Sequence, residues 1–203
     1  MSSNGSLGLS GGLKIFIGII ILIIIIGVGF VVKYNSIVGE HQTVLGKWGD
    51  VESTLQRRMD LIPNLVNTVK GYAKHEKTTL TEVQKLRSLS YQTKVDISNE
   101  SQMQQLAKQQ ANLSGALSKL MAVSENYPDL KASQNFMALQ SQLEGTENRI
   151  NVARIRYNES VQAYNSIILS FFGRVVNNMM LNYKESVYYK ADTAAQKAPT
   201  VNF

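Results

Sequence analysis

The chain has 203 residues, no cysteine, three prolines and a formal net charge of +6. The missing thiol excludes disulfides, thiolate metal sites, a cysteine nucleophile and Cys-linked lipid. A modest basic balance without a nucleic-acid motif or interleaved aromatics argues against DNA or RNA as a partner.

Residues 1–14 open with the Gly/Ser-rich run MSSNGSLGLSGGL before Lys14 and read as a flexible tail. Residues 15–32, IFIGIIILIIIIGVGFVV, are uninterruptedly apolar and end at Lys33. As a helix this run rises roughly 27 Å, close to the hydrocarbon thickness of a bilayer. Lys14 and Lys33 can snorkel to the headgroups, and Tyr34 stands at an interfacial position. Segment 15–33 is therefore expected to be an uncleaved transmembrane helix. A signal peptide fits less well, because the run is long and no small-x-small cleavage site follows it. Gly18, Gly27 and Gly29 form no G-x-x-x-G pair. Lys33, Lys47, Arg57 and Arg58 on the C-terminal side point to a cytoplasmic domain.

Residues 34–171 read as helices. The ladder Ile37, His41, Val44, Trp48, Val51, Leu55 alternates steps of four and three, and its helix can be continuous with the anchor. Pro63 lacks a donor and opposes the carbonyl of Met59, while Asp60 can cap, so "MDLIPNL" is expected to break or sharply kink the chain. A second helix is expected from 63 to 92, with Leu65, Val66, Val69, Ala73, Leu80 and Val83 inward and Lys70, Lys74, Lys77 and Lys85 on one basic face. Such a stripe is usually solvated, and its alternative is contact with anionic lipid or an acidic partner. After a polar turn, Ser98 or Asn99 can cap a third helix bearing Met103, Leu106, Leu113, Leu117 and Leu120, ending at "ENYPDL". A fourth helix over 132–170 carries Phe136, Leu139, Leu143, Ile150, Ala153, Tyr157, Val161, Tyr164, Ile168 and Phe171. Alternating strand patterns are missing, so the expected fold is all-α: one transmembrane helix, then an elongated antiparallel helical bundle.

Three stretches carry a resemblance: RRMDLIPNLVNTVKGYAKHE (57–76), LMAVSENYPDLKASQNFMALQSQLEGTENRINVARIRYNESVQAYN (120–165) and APTVNF (198–203). With the preceding anchor, they closely resemble the LemA family of bacterial membrane proteins. The resemblance implies a helical bundle behind one membrane helix and implies no reaction. The sequence departs from the family where a Phe-Pro and then a Phe-Gly-Phe-like segment are usual. Phe172 stands in the place of Pro, and Asn182 in the place of Gly. The last helix is therefore expected to run further than in typical members.

Chemistry-bearing patterns are sparse. His75-Glu76 lacks the second zincin histidine, since position 79 is Thr, and neither His41 nor His75 follows a Glu at di-iron spacing. His75 reads as solvated, and His41 as a hydrogen-bonded residue of the apolar seam. No G-x-S-x-G elbow or phosphate loop is present. The chain is expected to be a non-enzyme without cofactor or metal. Arg57, Arg58, Asp60 and Asn64, with Glu147, Asn151, Arg154 and Asn158, read as polar seams that satisfy each other and set the bundle's register. The sharper reading of the same residues is a ligand pocket.

Residues 172–203 form an amphipathic segment and tail. Val175, Val176, Met179, Met180, Tyr183 and Val187 recur at helical spacing. This stripe either fills the core or meets a second subunit or the membrane surface, and self-association is placed first. The function expected from the whole is a scaffold or adaptor of the bacterial envelope. Its partners would be the bilayer through 15–32, an unidentified membrane or envelope protein, and a second copy of itself. A lipid-surface or membrane-remodelling protein is the first alternative, and an enzyme with an unrecognised site the second.

Overall fold

The computed structural model describes residues 11–91 and 94–190. Its first element, α1 (Gly11–Tyr72), is one helix of 62 residues that holds both the apolar span and the first helix of the bundle. Gly11–Lys14, grouped with the tail above, are already helical. The side chains of the span face outward, with Ile15, Ile19, Ile23 and Val32 exposed. Burial begins at Ile37 and recurs at Val44, Trp48, Val51 and Leu55, as the ladder predicts. No linker separates membrane from domain.

Pro63 does not break α1, and the expected second helix from 63 to 92 is not formed as such. Ile62, Leu65, Val66 and Val69 are buried on both sides of the proline, so tertiary packing holds the backbone helical through it. The proline leaves the carbonyl of Met59 without its intrahelical donor. Arg87 supplies one from outside: its Nε donates to Met59 O at 2.8 Å. The chain reverses ten residues later, between Ala73 and Glu76, and α2 (Lys77–Tyr91) follows.

α3 (Glu100–Val123) starts at Asn99, whose Oδ1 accepts from Gln102 N at 3.2 Å, the cap expected from sequence. It tightens into a 3₁₀ turn at Ser124–Asn126. Pro128 opens the one-turn helix α4 (Pro128–Lys131), where its missing N–H costs nothing. α5 (Gln134–Leu169) then returns toward the membrane. The pairs Arg58–Glu147, Trp48–Tyr157 and His41–Tyr164 step equally in opposite directions along α1 and α5. The two helices are thus antiparallel in constant register.

Two apolar clusters fill the bundle. The membrane-proximal one joins Ile37, Val44, Trp48 and Val51 to Met103, Leu106, Tyr157, Val161 and Tyr164, and Phe30 packs against it. The distal one joins Ile62, Leu65 and Val69 to Leu80, Val83, Leu113, Leu120, Leu130 and Phe136. α2 contributes only to the distal cluster, so the proximal half lacks a fourth helix.

The chain's last described segment fills that corner. α5 stops at Leu169 because Ser170 turns extended and caps α6 (Phe171–Val176), its Oγ accepting from Gly173 N at 3.1 Å. A Cβ at Gly173 would collide with the carbonyl of Ile167, so the turn requires glycine there. Phe171 leaves the α5 ladder and is 79 % exposed. A π-helical turn at Asn177–Leu181 ends on Asn182, at φ 51°. Asparagine tolerates this left-handed conformation better than most residues after glycine, which is how it fills the family's Gly position. Residues 183–190 then run extended beside α5. The last helix therefore does not continue further; local capping at Ser170 and the left-handed Asn182 end it twice. Residues 1–10 and the closing APTVNF lie outside the described residues. Among the described residues there is no strand, and the fold is all-α as expected.

Candidate functional site

Between the two apolar clusters lies a polar layer. Arg58, 3 % exposed, pairs with Glu147 of α5, and its Nη1 donates to Gln110 Oε1 of α3 at 3.2 Å. Three helices thus meet on one guanidinium. Burial pushes the Arg58 pKa down to about 10, which still leaves it charged at neutral pH. Glu147 keeps 46 % of its side-chain surface in water and closes the layer from outside. Gln110 escapes a search for charged partners, although its position between Leu106 and Leu113 on an apolar ladder marks it as inward.

The other seam residues separate from this layer. Arg57, Asp60 and Asn64 are exposed, and Asp60 accepts from Gln56 within its own helix at 2.8 Å. Asn151 accepts from Arg154 at 3.2 Å, one turn along α5. The structure therefore joins Arg58 to Glu147, while the remaining residues do not form a continuous seam.

Asn158 serves a different feature, the extended segment 183–190. Its amide bonds Tyr189 twice, Oδ1 accepting from N at 2.9 Å and Nδ2 donating to O at 3.1 Å. Asn165 holds Ser186 in the same two-way manner, at 2.9 and 2.8 Å. Asn177 does so for Tyr183, at 3.0 and 2.9 Å. The hydroxyls of Tyr157 and Tyr164 donate to the carbonyls of Val187 and Lys184 at 2.8 and 2.9 Å. Val187 N donates to Ile97 O at 2.7 Å. A strand without a sheet has its backbone satisfied by side chains. Burial raises the pKa of both hydroxyls, Tyr164's to about 12, so each stays a donor. Asn158 and Asn165 are seven residues apart, and with Tyr157 and Tyr164 they repeat as a Tyr-Asn pair every two turns. That repeat was the available signal for the strap.

His41 lies in the proximal seam, stacked on Tyr183 at 4.3 Å and tilted against Tyr164 at 5.4 Å. Its Nδ1 is buried with no hydrogen-bond partner, so the expected hydrogen-bonded seam role is corrected to an aromatic one at that atom. Desolvation lowers its pKa.

Lys70, Lys74, Lys77 and Lys85 are all exposed, but they do not share one helix. Lys70 ends α1, Lys74 sits in the turn, and only Lys77 and Lys85 belong to α2. The break at 73–76, rather than at Pro63, divides them. The C-terminal stripe also divides, because 171–190 is not one helix. Val176 is buried and Tyr183 and Val187 pack on the proximal core, Val175 is half-buried, and Met179 and Met180 are exposed.

An open cleft of about 370 Å³ is bordered by Trp48, Leu55, Met59, Val95, Leu106 and Gln110, with Glu52 the only carboxylate among its described lining residues. Among the described residues no three His, Asp or Glu side chains group closely enough to hold a metal ion.

A continuous apolar anchor, a bundle divided by one ion-paired layer and a backbone strap define a single-pass membrane protein with a helical domain. A sequence profile described as the LemA family matches residues 47–203. The chain belongs to the LemA family. It is similar to Protein LemA of Metamycoplasma hominis, 23 % identical over 89 % of this chain and 81 % of that protein. It is also similar to Magnetosome protein MamQ of Magnetospirillum gryphiswaldense, 25 % identical over 67 % of this chain and 57 % of that protein. Magnetosome protein MamQ 2 of Paramagnetospirillum magneticum shares 25 % identity over 66 % of this chain and 56 % of its own length. The chain thus spans somewhat over half of each magnetosome relative.

Proposed function

We propose that this protein is a membrane-tethered scaffold that acts through protein–protein contacts and not through catalysis. The observation that carries this reading is the outer face of the α1–α5 pair. Val152 and Ile155 are exposed large apolar residues on α5. Val152 borders a shallow groove of about 440 Å³ with Asp50, Ser53, Thr54, Arg149 and Arg156. Apolar side chains flanked by arginines are the mixture that protein interfaces favour. The polar groups of the interior, by contrast, are occupied with one another in the Arg58 layer and the strap. Similar sequence in proteins named for magnetosomes accords with a scaffold used in more than one assembly.

The test is photo-crosslinking in native membranes with a benzophenone amino acid placed at Val152, at Ile155 and, as a control, at exposed Lys119 on α3. Discrete adducts from positions 152 and 155 that position 119 does not give are expected. Identical adduct patterns from all three positions, or no adduct from 152 and 155, would overturn the reading.

A further inference from the structure

We propose that α6 and the π-helical turn after it are a second membrane contact, a wedge of Phe171, Phe172, Met179 and Met180 inserted into the leaflet beside the anchor. Four large apolar side chains crowd this short segment, and all are exposed: Phe171 79 %, Phe172 55 %, Met179 69 % and Met180 61 %. Phe171 and Phe172 stack edge-on to each other at 5.8 Å, so they present one apolar prow.

The height of this prow is fixed by what it touches. Phe172 lines a groove on α1 with Gly29, Val32, Lys33 and Ser36. Gly29 and Val32 belong to the apolar span, and Lys33 is its terminal charge. From Gly29 to Ser36 a helix rises about 10 Å, comparable with the depth of the headgroup region on one side of a bilayer. Phe172 therefore sits at the boundary between acyl chains and headgroups. A second observation places the boundary independently: Phe30, two residues inside the span, packs against the proximal core. The bundle begins before the membrane ends.

The occupant of the patch is lipid. The apolar surface is continuous with the span, which must itself be solvated by acyl chains, so no water-filled gap divides the two. Arg174, exposed within α6, and Lys33 supply charges for the headgroups of anionic lipid. Flexible Met and flat Phe side chains suit an irregular acyl surface. With the anchor, the wedge gives the bundle two points of support and fixes which of its faces turns toward the membrane.

The chain has no cysteine, so single cysteines can be introduced as unique labels. The full-length variants Phe172→Cys and Met179→Cys would carry a nitroxide in nanodiscs of mixed phosphatidylcholine and phosphatidylglycerol, one chain per disc. Ile23→Cys in the span and Ser88→Cys on α2 serve as references. Collision rates with oxygen and with a water-soluble nickel chelate report depth. Labels at 172 and 179 are expected to favour oxygen over the chelate several-fold more than the label at 88, approaching the label at 23. Chelate accessibility equal to that at 88 would overturn the proposal. So would protection that arises only when discs hold two chains, which assigns the patch to a second copy. Circular dichroism melts of each labelled variant confirm the fold, and placing the label at Phe171 or Met180 replaces any variant that melts early.

Discussion

Arg58 holds a full charge in the middle of an apolar bundle, and Glu147 with Gln110 makes that tolerable. Breaking a fully buried pair costs about 3–5 kcal/mol, because the surviving charge is left without a partner. Here the survivors differ. Removing Glu147 strands a buried guanidinium, whereas removing Arg58 leaves a carboxylate already half in water. Glu147→Ala is expected to destabilise by about 2–3 kcal/mol, reduced from the buried-pair figure by that exposure. Arg58→Met, which replaces the charge by apolar volume, is expected to cost under about 1 kcal/mol. Urea unfolding of both variants decides, and equal losses would remove the asymmetry on which this reading rests. His41 is the other residue whose charge state bears on stability. Its folded-state pKa lies below the model value of 6.5. Between those two values the unfolded chain binds more protons than the folded one, so stability falls as pH drops through about 6.5 and levels off below the folded pKa. The melting temperature is expected to fall from about pH 7.5 to about pH 5.5, and His41→Phe, which keeps the stacking and removes the proton, to flatten that fall. An unchanged slope in the variant would place the pH dependence elsewhere.

Among the elements, α1 shows what happens when local and tertiary preferences conflict. A proline in a helix interior is about 3 kcal/mol worse than alanine, yet the helix continues, with Arg87 bonded to the carbonyl that Pro63 frees. The two residues should therefore be thermodynamically coupled. Arg87→Ala is expected to lower stability by about 1–3 kcal/mol in the native background, the range for a carbonyl left unsatisfied. In a Pro63→Ala background, where an intrahelical donor returns, the same change is expected to cost much less. A double-mutant cycle with no coupling would show that Arg87 acts through its stacking on Tyr91 alone.

Legibility followed the range of the interactions. The ladders of α1, α3 and α5 were readable because each buried position repeats within one helix, and the Asn99 cap because it is local. Pro63 misled because its compensation comes from Arg87, on another helix. The Arg58–Glu147 pair was readable as two inward polar residues, but not its partner Gln110, which carries no charge. The strap was hidden for a related reason. Its valines and tyrosines keep helical spacing, and what makes the segment extended is the left-handed Asn182 and three asparagine amides elsewhere in the chain.

At the scale of the whole molecule, the central claim is that anchor and bundle are one rigid post standing on the bilayer. α1 crosses the membrane boundary without a linker, the proximal core reaches back to Phe30, and α5 braces the helix through most of its length outside the membrane. A scaffold on such a post presents its outer face at a fixed height, which a flexible tether would not allow. The direct measurement is a pulsed electron spin resonance distance between nitroxides on Val28→Cys, in the span, and Arg57→Cys, in the bundle, with the full-length protein in nanodiscs. One continuous helix predicts a narrow distribution centred about 43 Å apart, from a rise of about 1.5 Å per residue. A broad distribution, or one centred below about 35 Å, would mean that the helix bends or melts at the membrane surface.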